Sequence, residues 1–193
     1  FAISLFLAVG TKLNSVFIPP ILIIWLVLVR KFTLQRVGWL VAVCLVVVAG
    51  VIATWPWMWD APFQKTVATL DYYRNVGSTD TRIEAPTGFI GPLGINLEGI
   101  ELLFVTMPLP MIIMIIVGLV AAARSKHKDL SLLVFVWLVV ILGRVIRPGA
   151  EVFGSTRQFA EVLPALAIFS GIGVGYVGEK IKIRFAKFAV LAV

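Results

Sequence analysis

Cysteine and histidine are nearly absent: the 193 residues contain one of each, Cys44 and His127. An internal disulfide is therefore excluded, as are a Cys/His zinc centre, haem ligation by such a set and a Cys–His nucleophile pair. A single cysteine says nothing about redox compartment. Charge is scarce too. Only 14% of residues are Asp, Glu, Lys or Arg, against ~25% in a soluble domain. Acids are the scarcer sign, 10 against 17 basic residues, for a net charge of +7.

What fills the chain is apolar: 60% hydrophobic residues and a mean hydropathy of +1.03. These residues come in blocks, at 13–29, 37–54, 102–123, 130–146 and 162–178. Each approaches the ~17–25 residues that a helix needs to cross a ~30 Å hydrocarbon core. Two further runs, 1–10 and 185–193, look truncated. The expected class is an all-α polytopic membrane protein, with about five complete transmembrane helices and two partial ones. We expect a single multi-span domain, cut from a larger membrane protein. No stretch reads as a signal peptide.

The excess positive charge is not a nucleic-acid footprint, because of where it lies. Segments 30–36, 124–129 and 179–187 hold ten Lys or Arg against two acids, a balance of +8. The rest holds seven against eight, a balance of −1. Basic segments alternate along the chain as the positive-inside rule requires. Loops 30–36, 124–129 and 179–187 are thus expected in the cytoplasm, and 55–101 and 147–161 outside.

The outer loop opens on "WPWMWD". Trp55, Trp57 and Trp59 then fall at the outer end of the block 37–54, where an indole sits half dehydrated with its N–H still served. Asp60 with Pro62 reads as a helix start, and Gly77 as a stop. Between them Phe63, Val67, Leu70 and Tyr73 share one face. A short amphipathic helix over 61–75, lying on the outer surface, is the expectation. The stretch 77–99 is polar and rich in Gly and Pro. Its Asp80, Arg82 and Glu84 read either as a metal- or sugar-binding group or as a solvated loop.

"GIGVGYVG" contains a formal GxGxxG, Gly173 to Gly178. A dinucleotide site needs that pattern between a strand and a helix, whereas here it lies inside an apolar span. The reading preferred is helix packing through Gly171 and Gly175, spaced four apart.

Four cations gather at the expected outer face: Lys12, Arg144, Arg147 and Arg157. The positive-inside rule does not account for them. They suit an anionic group at headgroup depth, such as a lipid phosphate. The alternative is snorkelling, or pairing with Glu151 and Glu161; Arg144 is assigned to it.

"AVGTKLNSVFIPPIL", "WPWMWDAPFQK", "VTMPLPMIIMIIVGL" and "STRQFAEVLPALAIFSGIGVGY" occur in an order that resembles the bacterial and archaeal family 39 membrane glycosyltransferases. These are relatives of dolichyl-phosphate-mannose protein mannosyltransferases, with the GT-C fold. The resemblance runs from about Gly10 to Gly178 and matches the C-terminal half of such enzymes. It implies inverting transfer of a hexose from a polyprenyl-phosphate donor to a protein or lipid acceptor on the outer face. The family's catalytic aspartate lies in a first outer loop that this stretch does not contain, so no catalytic residue is assigned. By resemblance, Lys12, Arg157 and Gln158 contact the donor phosphate or pocket, Arg147 stands with them, and Trp55, Pro56 and Trp59 form the site floor. No metal ligand is assigned. The family often carries a Tyr-containing stretch where this chain reads "APTGFIGPLGINLEG", a departure that bears on the acceptor. The partners implied are membrane lipids, the polyprenyl-phosphate sugar and the acceptor.

Two other classes stay open. The prolines at 19–20, 108, 110 and 164 suit a transporter, but that class expects polar groups at span centres, and these centres are almost free of charge. A non-catalytic membrane subunit is the third.

Overall fold

The computed structural model describes residues 1–75, 95–146 and 160–180. These contain eight α-helices and two short 3₁₀ segments. The chain divides into two compact units, Phe1–Arg82 and Ile83–Val193.

In the first unit, α1 (Ala2–Thr11) leads through a 3₁₀ segment (Leu13–Phe17) into α2 (Ile18–Leu28), and α3 (Leu34–Thr54) follows. The expected span over 13–29 is thus not one α-helix. Pro19 and Pro20 sit in the first turn of α2, where their missing N–H groups cost nothing. Further inside a helix each would leave a carbonyl unpaired and clash with the preceding turn. α2 ends on Arg30 at φ 54°. The Arg30 and Lys31 N–H groups bond back to Val27 O (3.0 Å) and Leu26 O (2.9 Å), closing the helix with a left-handed residue as glycine usually does. Thr33 Oγ1 then accepts from Arg36 N and caps α3.

α3 is 21 residues long, ~31 Å at 1.5 Å per residue. It buries only Leu40 and Val47. Trp39, Leu45 and Val46 are each about two-thirds exposed. A helix so long, apolar and bare fits hydrocarbon rather than water on most of its surface. Phe1 lies beside Arg36 and Trp39 near the start of α3, whereas the Phe6 ring packs on Gly50. α1 and α3 therefore run in the same direction, with α2 returning between them.

In the second unit, α5 (Glu98–Thr106) and α6 (Leu109–Ala123) are followed by α7 (Lys128–Val145) and α8 (Val162–Lys180). The expected span over 102–123 is broken: α5 and α6 meet at 114°. Met107 is extended (φ −91°, ψ 138°) because Pro108 follows it, and Pro108 and Pro110 offer no N–H to continue α5. α7 covers the expected 130–146 span but carries Lys128 and Asp129 in its first turn and Arg144 in its last.

α8 packs closely on α6. A Cβ on Gly118 would stand 1.8 Å from Phe169 O, and one on Gly173 would stand 2.0 Å from Met114 O. The two backbones touch, which only glycine permits. Val162, Ala165, Leu166, Phe169 and Gly173 form the buried face of α8. This corrects the glycine assignment. Gly171 and Gly175 have open space where a side chain would be, because each lies ~200° round the helix from a residue that faces α6. The GxGxxG glycines are all within continuous helix, which removes the dinucleotide reading.

Among the described residues α3 and α8 are each long and apolar enough to cross a membrane, and the α5–α6 pair makes a third if it counts as one span. The partial span at 185–193 lies outside the described residues.

Candidate functional site

The tryptophan stretch is a built corner. Trp55 is extended (φ −107°, ψ 96°), and Pro56 opens a 3₁₀ turn over Pro56–Met58. That turn reverses the chain just past the end of α3. Met58 is the residue driven inside, 4% exposed, while the three indoles stay at the surface. Trp59 Nε1 donates to Ile52 O (3.0 Å) and Ala53 O (3.3 Å). The last carbonyls of a helix have no partner within it, so this indole closes the end of α3. Trp55 and Trp57 pack at a tilt, centroids 5.8 Å apart.

Lys65, one turn into α4 (Pro62–Asn75), locks the corner. Its Nζ donates to Trp57 O at 2.6 Å, pairs with the Asp60 carboxylate and stands 5.0 Å from the centre of the Trp57 ring. Asp60 was expected to start α4; its carboxylate instead serves this lysine. Lys65 holds the Asp60 carboxyl below its ordinary value, chiefly through that hydrogen bond. A depressed carboxyl stabilises the fold above its unfolded-state value and stops doing so as pH falls through the lowered one. Asp60 should therefore titrate below an ordinary aspartate in a carboxyl-carbon NMR titration, and Lys65→Met should move the midpoint up. An unchanged midpoint in Lys65→Met would separate the two residues.

The expected helix over 61–75 is present as α4. Its Lys65, Thr66 and Thr69 side is half-buried, whereas Phe63 (80%), Val67 (42%) and Leu70 (54%) are exposed. The apolar stripe faces away from the protein. That is the arrangement of a helix lying at a lipid surface.

Lys12 sits at the break after α1, extended (φ −151°, ψ 118°), its N–H bonded to Ala8 O. Since α1 runs with α3, Lys12 lies toward the end of the unit that carries the tryptophan corner. Of the proposed site, Lys12, Trp55, Pro56 and Trp59 thus belong to one unit and one end of it. Arg147, Arg157 and Gln158 lie outside the described residues, as do Asp80, Arg82 and Glu84. Arg144 is half-buried in the last turn of α7, and Glu161, near enough for its charge to act on Arg144, is half-buried just before α8. Among the described residues no group of three His, Cys, Asp or Glu side chains is placed to hold a metal.

Sequence reasoning missed Lys65 and the closing role of Trp59. The spacing of Lys65, eight residues after Trp57 and across a turn, carries no periodic signal. Comparison with family models, curated proteins and solved structures returned no match.

Proposed function

We propose that this chain is part of a multi-pass membrane glycosyltransferase that moves a hexose from a polyprenyl-phosphate donor to a protein or lipid acceptor at the outer face. The observation that carries the reading is that Lys12, the tryptophan corner and the bare apolar stripe of α4 all lie toward one end of the first unit. A lipid-linked donor has its phosphate at headgroup depth, beside a hydrocarbon tail. Cations, interfacial indoles and an interfacial helix are what such a substrate meets. Departure of the carrier phosphate develops negative charge, which Lys12 and Arg157 would stabilise. A carboxylate elsewhere in the full protein would take the acceptor proton. The resemblance described above names the same chemistry.

The reading places five complete spans and two partial ones in the membrane. With Cys44 replaced, single cysteines at positions 80 and 151 should label from outside, and one at 126 only after permeabilisation. Labelling of 126 from outside would overturn the topology.

One observation favours a second reading. The 114° break between α5 and α6 is the kind of discontinuous helix that transporters use to form substrate sites. The deciding experiment is transfer from a series of polyprenyl-phosphate sugars by the full-length protein in membranes. Failure with all of them, with the protein folded, would favour the transporter.

A further inference from the structure

The corner between α3 and α4 is more ordered than an aromatic belt requires. Interfacial indoles anchor a protein at headgroup depth and need no fixed protein partner for that. Trp57 has two, Lys65 and Trp55. Lys65 Nζ donates to its carbonyl oxygen (2.6 Å) and stands 5.0 Å from the centre of its ring. The Trp55 ring packs against it at a tilt of 43°. Lys65 is itself confined, its side chain 23% exposed, and ordering so long a side chain costs conformational entropy. Met58 is buried in the same turn. The indole surface is therefore preformed, as a binding site is and a loose anchor is not.

The chemistry of that surface narrows the ligand. Trp55 and Trp57 are 44% and 48% exposed, and the Asp60 side chain, which pairs with the same lysine, is 74% exposed. An anion brought here meets the charge of Asp60. A cation finds its place taken, since the Lys65 ammonium already faces the Trp57 ring and the Asp60 carboxylate. A neutral ligand remains, with C–H groups for an aromatic face and hydroxyls for a carboxylate. A pyranose has both. Its C–H groups pack on the negative face of an indole, and its hydroxyls donate charge-assisted hydrogen bonds to a carboxylate.

We propose that the tryptophan corner is a hexose subsite, with the pyranose on the Trp55 and Trp57 rings and one of its hydroxyls on the Asp60 carboxylate. Lys65 is the positioning residue, holding Trp57 and Asp60 in one arrangement. The subsite rests on the transferase reading for one point, that the hexose is the sugar of the polyprenyl-phosphate donor. The division of labour is then by charge: the neutral sugar goes to the corner that carries a carboxylate, and the phosphate goes to cations elsewhere in the site.

The test is saturation-transfer difference NMR on the full-length protein in nanodiscs, with the methyl α-pyranosides of mannose, glucose and galactose as probes. At least one should show saturated ring C–H protons beyond those seen with empty nanodiscs. Asp60→Asn should weaken its binding about tenfold, the size of one charge-assisted hydrogen bond. Trp57→Leu should weaken it as well, while Trp57→Phe, which keeps an aromatic face, should retain part. Lys65→Arg should bind and Lys65→Met should not. A probe change makes the point without relying on the fold of a variant. One of the 2-, 3-, 4- and 6-deoxy forms of the bound hexoside should bind about tenfold more weakly to the wild type, and that penalty should vanish in Asp60→Asn. No signal from any of the three hexosides overturns the proposal, as does binding that Trp57→Leu and Asp60→Asn leave unchanged; transfer from a polyprenyl-phosphate sugar would still uphold the transferase. Hexoside binding that follows these variants, without transfer from any polyprenyl-phosphate sugar, would uphold the subsite and remove the transferase.

Discussion

Gly118→Ala and Gly173→Ala should each destabilise the second unit by about 3 kcal/mol, the upper range for overpacking a close contact. The added methyl of either variant would stand 1.8 or 2.0 Å from a backbone carbonyl oxygen. A backbone cannot rotate away as a flexible side chain can, so α6 and α8 must separate by more than 1 Å at the crossing. The separation loosens Phe169, Ala165 and Ala122, which are at most 1% exposed. Gly171→Ala and Gly175→Ala supply the contrast. Both positions are open, and alanine favours an aqueous helix over glycine by ~1 kcal/mol, so these variants should be neutral or stabilising. Unfolding of the four full-length variants in detergent, thermally or with added SDS, measures the difference. Equal stability of Gly118→Ala and Gly171→Ala would mean that α6 and α8 do not meet there.

The second large effect is on the proposed transfer reaction. Arg157→Ala should reduce transfer from a polyprenyl-phosphate sugar by about 100-fold, equivalent to ~2.7 kcal/mol, the order of a charge-assisted contact to phosphate. Arg157→Lys should recover only part, since a point charge cannot reproduce a bidentate fork. Lys12→Ala should act in the same direction. Arg144→Ala should change transfer less, because Arg144 is half-buried in the last turn of α7 within reach of the charge of Glu161. Its effect belongs in stability, where a half-buried partner loses its counter-charge. Reading kcat and KM separately in protein of checked folding distinguishes lost transition-state stabilisation from lost binding. Full activity in folded Arg157→Ala would remove that residue from the site and leave Lys12 and the tryptophan corner to be tested alone.

Pro108 shows how a local rule sets a boundary that hydropathy does not see. The block 102–123 is uniformly apolar, yet the chain turns through 114° inside it. The residue before a proline is pushed out of the helical region whatever the surrounding medium. Pro19 and Pro20 act differently: Ile18 before them stays helical (φ −61°, ψ −48°), and their missing N–H groups confine them to the first turn of α2, Ile18–Leu28. The surface helix was legible because it mixes polar and apolar residues, so that Phe63, Val67 and Leu70 stand out at helical spacing.

Composition by itself determined that this chain is helical and apolar enough for a membrane, and the local signals at 61–75 determined α4. Both follow from the cost of leaving backbone and apolar side chains in the wrong solvent, a property of each residue alone. The tertiary structure decided which glycines carry the α6–α8 crossing and where Trp59 and Lys65 place their donors. In a helix that is apolar all round, lipid-facing and protein-facing positions have the same chemistry, so no stripe in the sequence marks the packed face. Only the neighbouring helix selects it: α6 meets the face of α8 that holds Gly173, and the face that holds Gly171 and Gly175 stays open.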